Sequence, residues 1–336
     1  MPHPSTGETS TLPPHPGQEP VPAASINTHN VSAAGVSHLR LFLAILLLMP
    51  MLCLAICFGI MRSKWFFHHT HGLYLVNLGY GMTLHDTDCQ VLIYGDSSAL
   101  VGVDPAIIQA QTGLSTCNIA EFAGMTMING TMILDGFLAH NPRPRYILFL
   151  FTPEDLAPYP KWQYVGTYEG ILARVRFQPD AGLLRMLVLH PGETFGAFEV
   201  SGRFALQWAF QHPMPKESFE DRARNRGRLD DPTAALTRCP TEARVHAPQK
   251  SWTDGLRTRY GVAGTRVLID VTPAPECEPT LSFYTPRLAP DQGIVDNRLH
   301  TYPVGWYVQS GRMHLGHQGI TQLSTEIAAQ IQQAGK

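Results

Sequence analysis

The sequence predicts an α/β domain, a three-layer parallel sheet with helices on both faces, carried behind one N-terminal transmembrane helix. Three observations predict it. Leu41 to Ile60 runs 20 residues without a charge. Short apolar runs without polar alternation recur near 91–95, 117–120, 145–151 and 266–271. Segments of helical periodicity separate the first three of these runs. Strands covered by helices on both faces show such unbroken runs, and a strand–helix–strand rhythm makes neighbouring strands parallel.

Composition narrows the field of partners. Hydrophobic residues make up 44% of the 336 and charged residues 15%, against about a quarter charged in soluble chains. A net charge of -2 offers no clustered basic face, which argues against nucleic acid.

Residues 1–38 hold seven prolines and only Glu8 and Glu19 as charged groups, so they read as a disordered tail. The anchor occupies 39–62. Its apolar span, 41–60, lies between Arg40 on one side and Arg62 and Lys64 on the other, and at 1.5 Å per residue it matches the hydrocarbon core. Pro50 is tolerable inside a membrane helix. The tail ahead of the span, its length, and the lack of a small-x-small site after it argue against a cleaved signal peptide.

Residues 63–88 form a juxtamembrane linker rich in aromatics and histidine. His68, His69 and His71 have no acidic or cysteine neighbour, so the cluster reads as a headgroup-level segment and not a metal site. Counting basic residues around the span favours a cytoplasmic C-terminal domain. Cysteine usage points the other way: outside the span stand Cys89, Cys117, Cys239 and Cys277, an even set suited to an oxidising compartment. Cys89 and Cys117 fall at the starts of neighbouring strands and are expected to pair, leaving Cys239 with Cys277. The expectation is a single-pass protein of the inner (cytoplasmic) membrane with its main domain, 89–336, in the periplasm.

Within that domain Asp104 and Pro105 open a helix closed by Gly113, and Gly124 to His140 has helical spacing. Residues 156–256 break the rhythm as a large insertion, with an apolar part (Ala181 to Phe210) and a charged part (Lys216 to Asp231). A lid or membrane-facing cap and a packing extension both remain open for it. Gln318 to Gln332 is a final amphipathic helix.

Ligand sites in parallel α/β sheets lie at the carboxyl ends of strands. Ser97 sits there, just after the first strand and near Gly95, where backbone N–H groups at a helix start can hold an oxyanion. The plainer readings are Ser97 as a helix cap, Asp96 as a turn acceptor and His314 as a surface histidine.

Tyr94-Gly95-Asp96-Ser97-Ser98 resembles the first block of the SGNH (GDSL) hydrolase family. Asn118 to Thr126 (NIAEFAGMT) is similar to its second block, and His314-Leu315-Gly316-His317-Gln318-Gly319 to its last. The resemblance covers roughly 89–155 and 265–333. It implies a flavodoxin-like three-layer fold, Ser97 as nucleophile, His314 as base, Ser97 and Gly124 N–H groups as oxyanion donors, and neither cofactor nor metal.

Two departures stand out. Phe151-Thr152-Pro153-Glu154-Asp155 lacks the family's third-block asparagine, and Gly311 stands where the family has the aspartate that orients its histidine. Asp296, another acid from the insertion, or a backbone carbonyl is left to orient the ring. His300 and His317 are weaker rivals for the base. The implied function is a membrane-anchored serine esterase or O-acyltransferase acting on acyl groups of an extracytoplasmic glycan or lipid. Its implied partners are that acylated substrate, the bilayer through 41–60, and membrane proteins of an envelope complex. The alternative is a non-catalytic SGNH-fold membrane subunit serving as a binding platform in an envelope or exopolysaccharide complex.

Overall fold

The computed structural model describes residues 33–69, 80–121, 132–152, 168–177, 179–211, 219–239, 250–277, 300–310 and 313–336. The chain falls into two compact units, Met1–Leu52 and Cys53–Lys336. In the first unit the described residues belong to helix α1 (Ala33–Arg62), whose apolar side chains Leu41 to Leu52 are largely exposed. From His38 to Arg62 the helix is long and apolar enough to cross a membrane. It runs through Pro50 and begins at Ala33, inside the stretch read as tail. Ala33 and Ala34 favour helix, and the last proline of the tail, Pro22, lies well upstream.

The second unit opens with the end of α1 and a short helix α2 (Lys64–His69). The side chains of His68 and His69, and all of His71, lie outside the described residues. Strand β1 (Val91–Gly95) leads into helix α3 (Ser97–Gly102) and helix α4 (Pro105–Thr112). Asp104 caps α4 by accepting from Ala106 N at 2.8 Å, and Gly113, at φ 72°, closes it in the left-handed conformation that suits glycine. Strand β2 (Thr116–Asn118) follows, then helix α5 (Met132–His140) and strand β3 (Tyr146–Phe151).

β2 begins earlier and ends sooner than its apolar run suggests. The Asn118 side chain takes over locally: Oδ1 accepts from Ala120 N at 2.9 Å and Nδ2 donates to Ala99 O at 2.8 Å. The chain still follows β1, with Ile119 N donating to Ile93 O and Glu121 N to Gly95 O.

The insertion supplies helices α6 (Tyr168–Phe177), α7 (Ala181–Leu189), α8 (Pro191–Gln211) and α9 (Phe219–Arg224). Helix α10 (Lys250–Tyr260) lies in the same stretch by sequence, yet its Leu256 and Tyr260 pack in a core cluster with β1, β3 and β4 (Arg266–Val271). The sheet domain therefore resumes near Lys250. Ala274–Pro275 (β5) and Thr301–Tyr302 (β6) form a small parallel pair, and helix α11 (His317–Gly335) ends the chain.

The main sheet has the order β2-β1-β3-β4, every pair parallel, with Leu92 beside Cys117 and Ile147, and Ile147 beside Val267. β1 and β3 are buried along their whole length, which is why their runs lack polar alternation. Val91, Ile93, Leu148 and Leu150 pack with residues of α3, α4 and α11. Leu92, Tyr94, Ile147, Phe149 and Phe151 pack on the opposite side with residues of α5 and α10. Disulfides join Cys89 to Cys117 and Cys239 to Cys277, the pairing expected from sequence. Cross-links over separations of 28 and 38 residues restrict the unfolded chain, each worth about 2–4 kcal/mol.

Candidate functional site

The carboxyl ends of β1 and β3 meet more closely than most strands allow. A Cβ on Gly95 would sit 1.8 Å from Leu150 O, so only glycine fits there. Asp96 follows, fully buried. Its Oδ1 accepts from Ser98 N at 2.8 Å and from Ser98 Oγ, and its Oδ2 accepts from Thr152 N. Asp96 thus caps α3 and ties the end of β1 to the end of β3, a structural role. Ser97 is the first residue of α3 and half-buried. Its hydroxyl makes no hydrogen bond to any described residue, so the cap is Asp96 and the Ser97 hydroxyl is left available.

His314 is held in a small antiparallel corner. Val308 N donates to His314 O at 2.9 Å, Gly316 N to Trp306 O at 2.7 Å, and Leu236 N to Tyr307 O at 2.7 Å. This lattice joins the insertion's tail to the segment before α11 and brings Asp231 to the imidazole. His314 Nδ1 lies 3.1 Å from Asp231 Oδ2 and 3.2 Å from Ser310 Oγ. Ser310 Oγ donates to Asp231 Oδ2, while Thr233 N and Oγ1 donate to Oδ1 at 3.1 and 2.7 Å. Burial pushes the Asp231 carboxyl up, but the hydrogen bonds from Ser310, Thr233 and His314 together hold it below the usual carboxylate range. An ionised Asp231 makes Nδ1 the protonated nitrogen and leaves Nε2 with its lone pair.

Two contacts pin this corner to the helix that Ser97 begins. Leu229 N donates to Leu100 O at 3.2 Å, and Leu315 Cδ1 lies 3.4 Å from where a Gly102 Cβ would stand. No hydrogen bond joins Ser97 Oγ to the His314 ring. An open cleft of about 390 Å³ reaches Asp231, its walls including Thr233, Trp306, Tyr307, His317 and Gln318, while neither Ser97 nor His314 lines it. Of the rival histidines, His300 Nδ1 is 3.3 Å from Glu326 Oε2, and His317 lies on the cleft wall. Gly124 and Asp296 lie outside the described residues, as do Glu154 and Asp155. The carboxylate on Nδ1 is Asp231, an acid of the insertion.

A second carboxylate sits past the end of β2. Glu121 and Arg222 of α9 are both fully buried and 3.1 Å apart. Arg222 also donates from Nε to Gly227 O at 2.8 Å and from Nη2 to Ala120 O at 3.0 Å, and lies 4.3 Å over the Tyr80 ring. Gly227 makes the approach possible: at φ 99° it leaves no room for a Cβ, which would lie 1.7 Å from Asn118 O. Burial raises the Glu121 carboxyl to about 7 against the opposing pull of Arg222, and its Oε2 has no hydrogen-bond partner among the described residues. Sequence reading missed Asp231, Ser310, Glu121 and Arg222. Asp231 had one local signal, the turn-forming Asp-Pro-Thr, but nothing tied it to a histidine 83 positions away.

No protein-family model, no curated protein and no solved structure matches the chain, so the contacts among Asp231, His314 and the helix of Ser97 are the ground for its function.

Proposed function

We propose that the chain is a membrane-anchored serine esterase or O-acyltransferase of the SGNH type, its sheet the middle of three layers. Its main domain stands outside the cytoplasm, where two disulfides persist. The substrate is the acyl group of an envelope glycan or lipid. One observation carries the reading: a carboxylate-bound histidine whose flanks are pinned to the helix beginning at Ser97, at the carboxyl edge of a parallel sheet.

In the proposed reaction His314 Nε2 takes the Ser97 proton as Oγ attacks the acyl carbonyl carbon. Asp231 keeps the ring in the right tautomer and stabilises the imidazolium. Ser97 N–H, with Gly124 N–H from the second block, stabilises the tetrahedral oxyanion. Collapse expels the leaving alcohol, which receives the proton from His314. Water or an acceptor hydroxyl then resolves the acyl-enzyme, again with His314 taking the proton. Catalytic hydrogen bonds are often long before substrate binds, so Ser97 and His314 close on each other only in the complex.

A fluorophosphonate probe on the purified full-length protein tests this. Wild type is expected to label and Ser97→Ala to remain unlabelled. Labelling that persists in Ser97→Ala would sink the assignment. The absent Ser97–His314 hydrogen bond and the missing asparagine favour a second reading, a non-catalytic platform. Folded wild-type protein that never labels supports that one.

A further inference from the structure

The helical insertion carries more exposed apolar surface than its packing needs. In α7, Leu183 and Met186 face inward while Leu184, Val188 and Leu189 face out. Phe195 of α8 is 70% exposed and Phe210 81%, on a helix whose Ala197, Ser201 and Phe204 form the buried side. Charges on these outer faces are few. Arg185 lies on α7, and α8 carries a half-buried Glu193 in its first turn besides Glu199 and Arg203, which are paired with each other.

Where these helices attach says what covers them. A Cβ on Gly202 of α8 would lie 3.8 Å from Cys57 Sγ. Cys57 belongs to α1 five positions before Arg62, about 7–8 Å along the helix axis into the apolar span. A side chain packed there stands at the depth of acyl chains if the helix spans a bilayer. Just beyond Arg62, Trp65 packs edge-on against Phe204 and Trp208 at centroid distances of 4.7 and 4.9 Å, an aromatic group suited to the headgroup boundary. Two guanidinium groups gather at the same level. Arg62 Nη1 donates to Val175 O at 3.3 Å, and Arg176, over the Phe177 ring at 5.2 Å, pairs with no carboxylate among the described residues. Burial and then the neighbouring Arg62 lower the Arg176 pKa, as expected for two cations left side by side.

We propose that α7 and α8 form a monotopic insertion, laying Leu184, Val188 and Phe195 into the same bilayer leaflet from which α1 emerges, with Arg62 and Arg176 at its phosphates. This rests on the anchor in the reading above and not on its chemistry. The surface fits lipid because amphipathic helices with apolar outer faces and sparse paired charge bury in the interface, and basic residues meet anionic headgroups. The insertion thereby holds α9 and the Asp231 segment, both downstream of α8, at a fixed height over the membrane.

Full-length protein in phosphatidylcholine–phosphatidylglycerol nanodiscs provides the test. A fluorescent NBD label is placed on native Cys53, which is exposed on α1, in a Cys57→Ser background. It is placed likewise on Val188→Cys, Phe195→Cys and, as the aqueous reference, Val262→Cys, each with Cys53→Ser and Cys57→Ser. Doxyl-lipid quenching at 188 and 195 is expected to exceed that at 262 by about threefold or more, with iodide quenching correspondingly weak. Labels at 188 and 195 that respond to iodide as 262 does, while Cys53 responds to lipid, overturn the inference and spare the anchor. A Cys53 label quenched by iodide overturns both.

Discussion

One stretch of the insertion supplies a partner to each of two pairs at the top of the sheet, and the pairs behave oppositely. Arg222 goes to Glu121 in a dry pocket with no exposure on either side. Asp231, nine residues on, goes to His314 at the edge of a cleft, where hydroxyl and amide donors surround the carboxylate. The first carboxyl is raised by burial and the second is lowered by its hydrogen bonds. The same pairing of an acid with a basic side chain thus makes a structural latch in one place and an oriented base in the other. Desolvation against hydrogen bonding decides which.

The largest expected effect breaks the open pair. Asp231→Asn removes the charge that stabilises the imidazolium while preserving volume, and should slow fluorophosphonate labelling of Ser97 by about a hundredfold or more. Stability near neutral pH should fall as well, because the contribution of the ionised carboxyl is lost. The lowered Asp231 pKa contributes stability above the ordinary carboxylate range, lost as pH falls through its folded value. Wild-type and Asp231→Asn proteins should therefore converge in stability only in strong acid. An unaltered labelling rate would show that Asp231 orients nothing that matters.

The closed pair should fail in the complementary way. Arg222→Met strands a buried carboxylate and should destabilise the protein by about 3–5 kcal/mol in denaturant unfolding. Adding Glu121→Gln should recover part of the loss, because the carboxylate left alone is then gone. A single Arg222→Met variant as stable as wild type would mean that the pocket tolerates the bare carboxyl, and the latch reading would fall.

These two pairs also mark the limit of what sequence could tell. The four parallel strands, the cap at Asp104, the stop at Gly113 and both disulfides were legible because each depends on neighbours in the chain or on counting. The availability of Ser97 was half legible. Sequence allowed Ser97 to be the cap, whereas the fold gives the cap to Asp96 and leaves Ser97 without one. Asp231 was out of reach, since the contact with His314 is made by strand-like bridges between 235 and 308 and between 307 and 315, and no local pattern encodes them. Arg222 and Glu121 were hidden for the opposite reason. Arg222 lies in a charged stretch that reads as solvent-facing, and nothing near Glu121 in the chain points to a cation 101 positions away, so only the fold, with its close approach at Gly227, buries the two together.

Acid–base behaviour sharpens the contrast by a smaller amount. Below about pH 4.5 Glu121 is protonated whether the chain is folded or not. As pH rises the unfolded chain ionises first, so stability falls until the folded carboxyl also ionises near 7 and then levels off. The total loss across that window is on the order of 3 kcal/mol. Glu121→Gln should flatten the profile between those limits, whatever it does to the absolute stability. Equal slopes in the two proteins would mean that Glu121 titrates alike in the folded and unfolded chain.

The smallest expected effect separates Ser310 from Asp231 within the open pair. Ser310 Oγ donates to Asp231 Oδ2 and lies 3.2 Å from His314 Nδ1, four positions before His314 in the chain. Its hydroxyl therefore helps to keep the carboxylate ionised and aimed, but it carries no charge and touches no reacting atom. Ser310→Ala removes one hydrogen bond to a charged acceptor, worth about 1.5–3 kcal/mol when fully buried and less at an edge open to water. Thr233 N and Oγ1 remain on the other oxygen and limit the loss. The labelling rate should fall by only about three- to tenfold, with the acid side of its pH profile moving upward as Asp231 loses a donor. A fall as deep as that of Asp231→Asn would make Ser310 an equal partner in orienting the ring. No change in either rate or profile would leave Asp231 held by Thr233 and His314 alone.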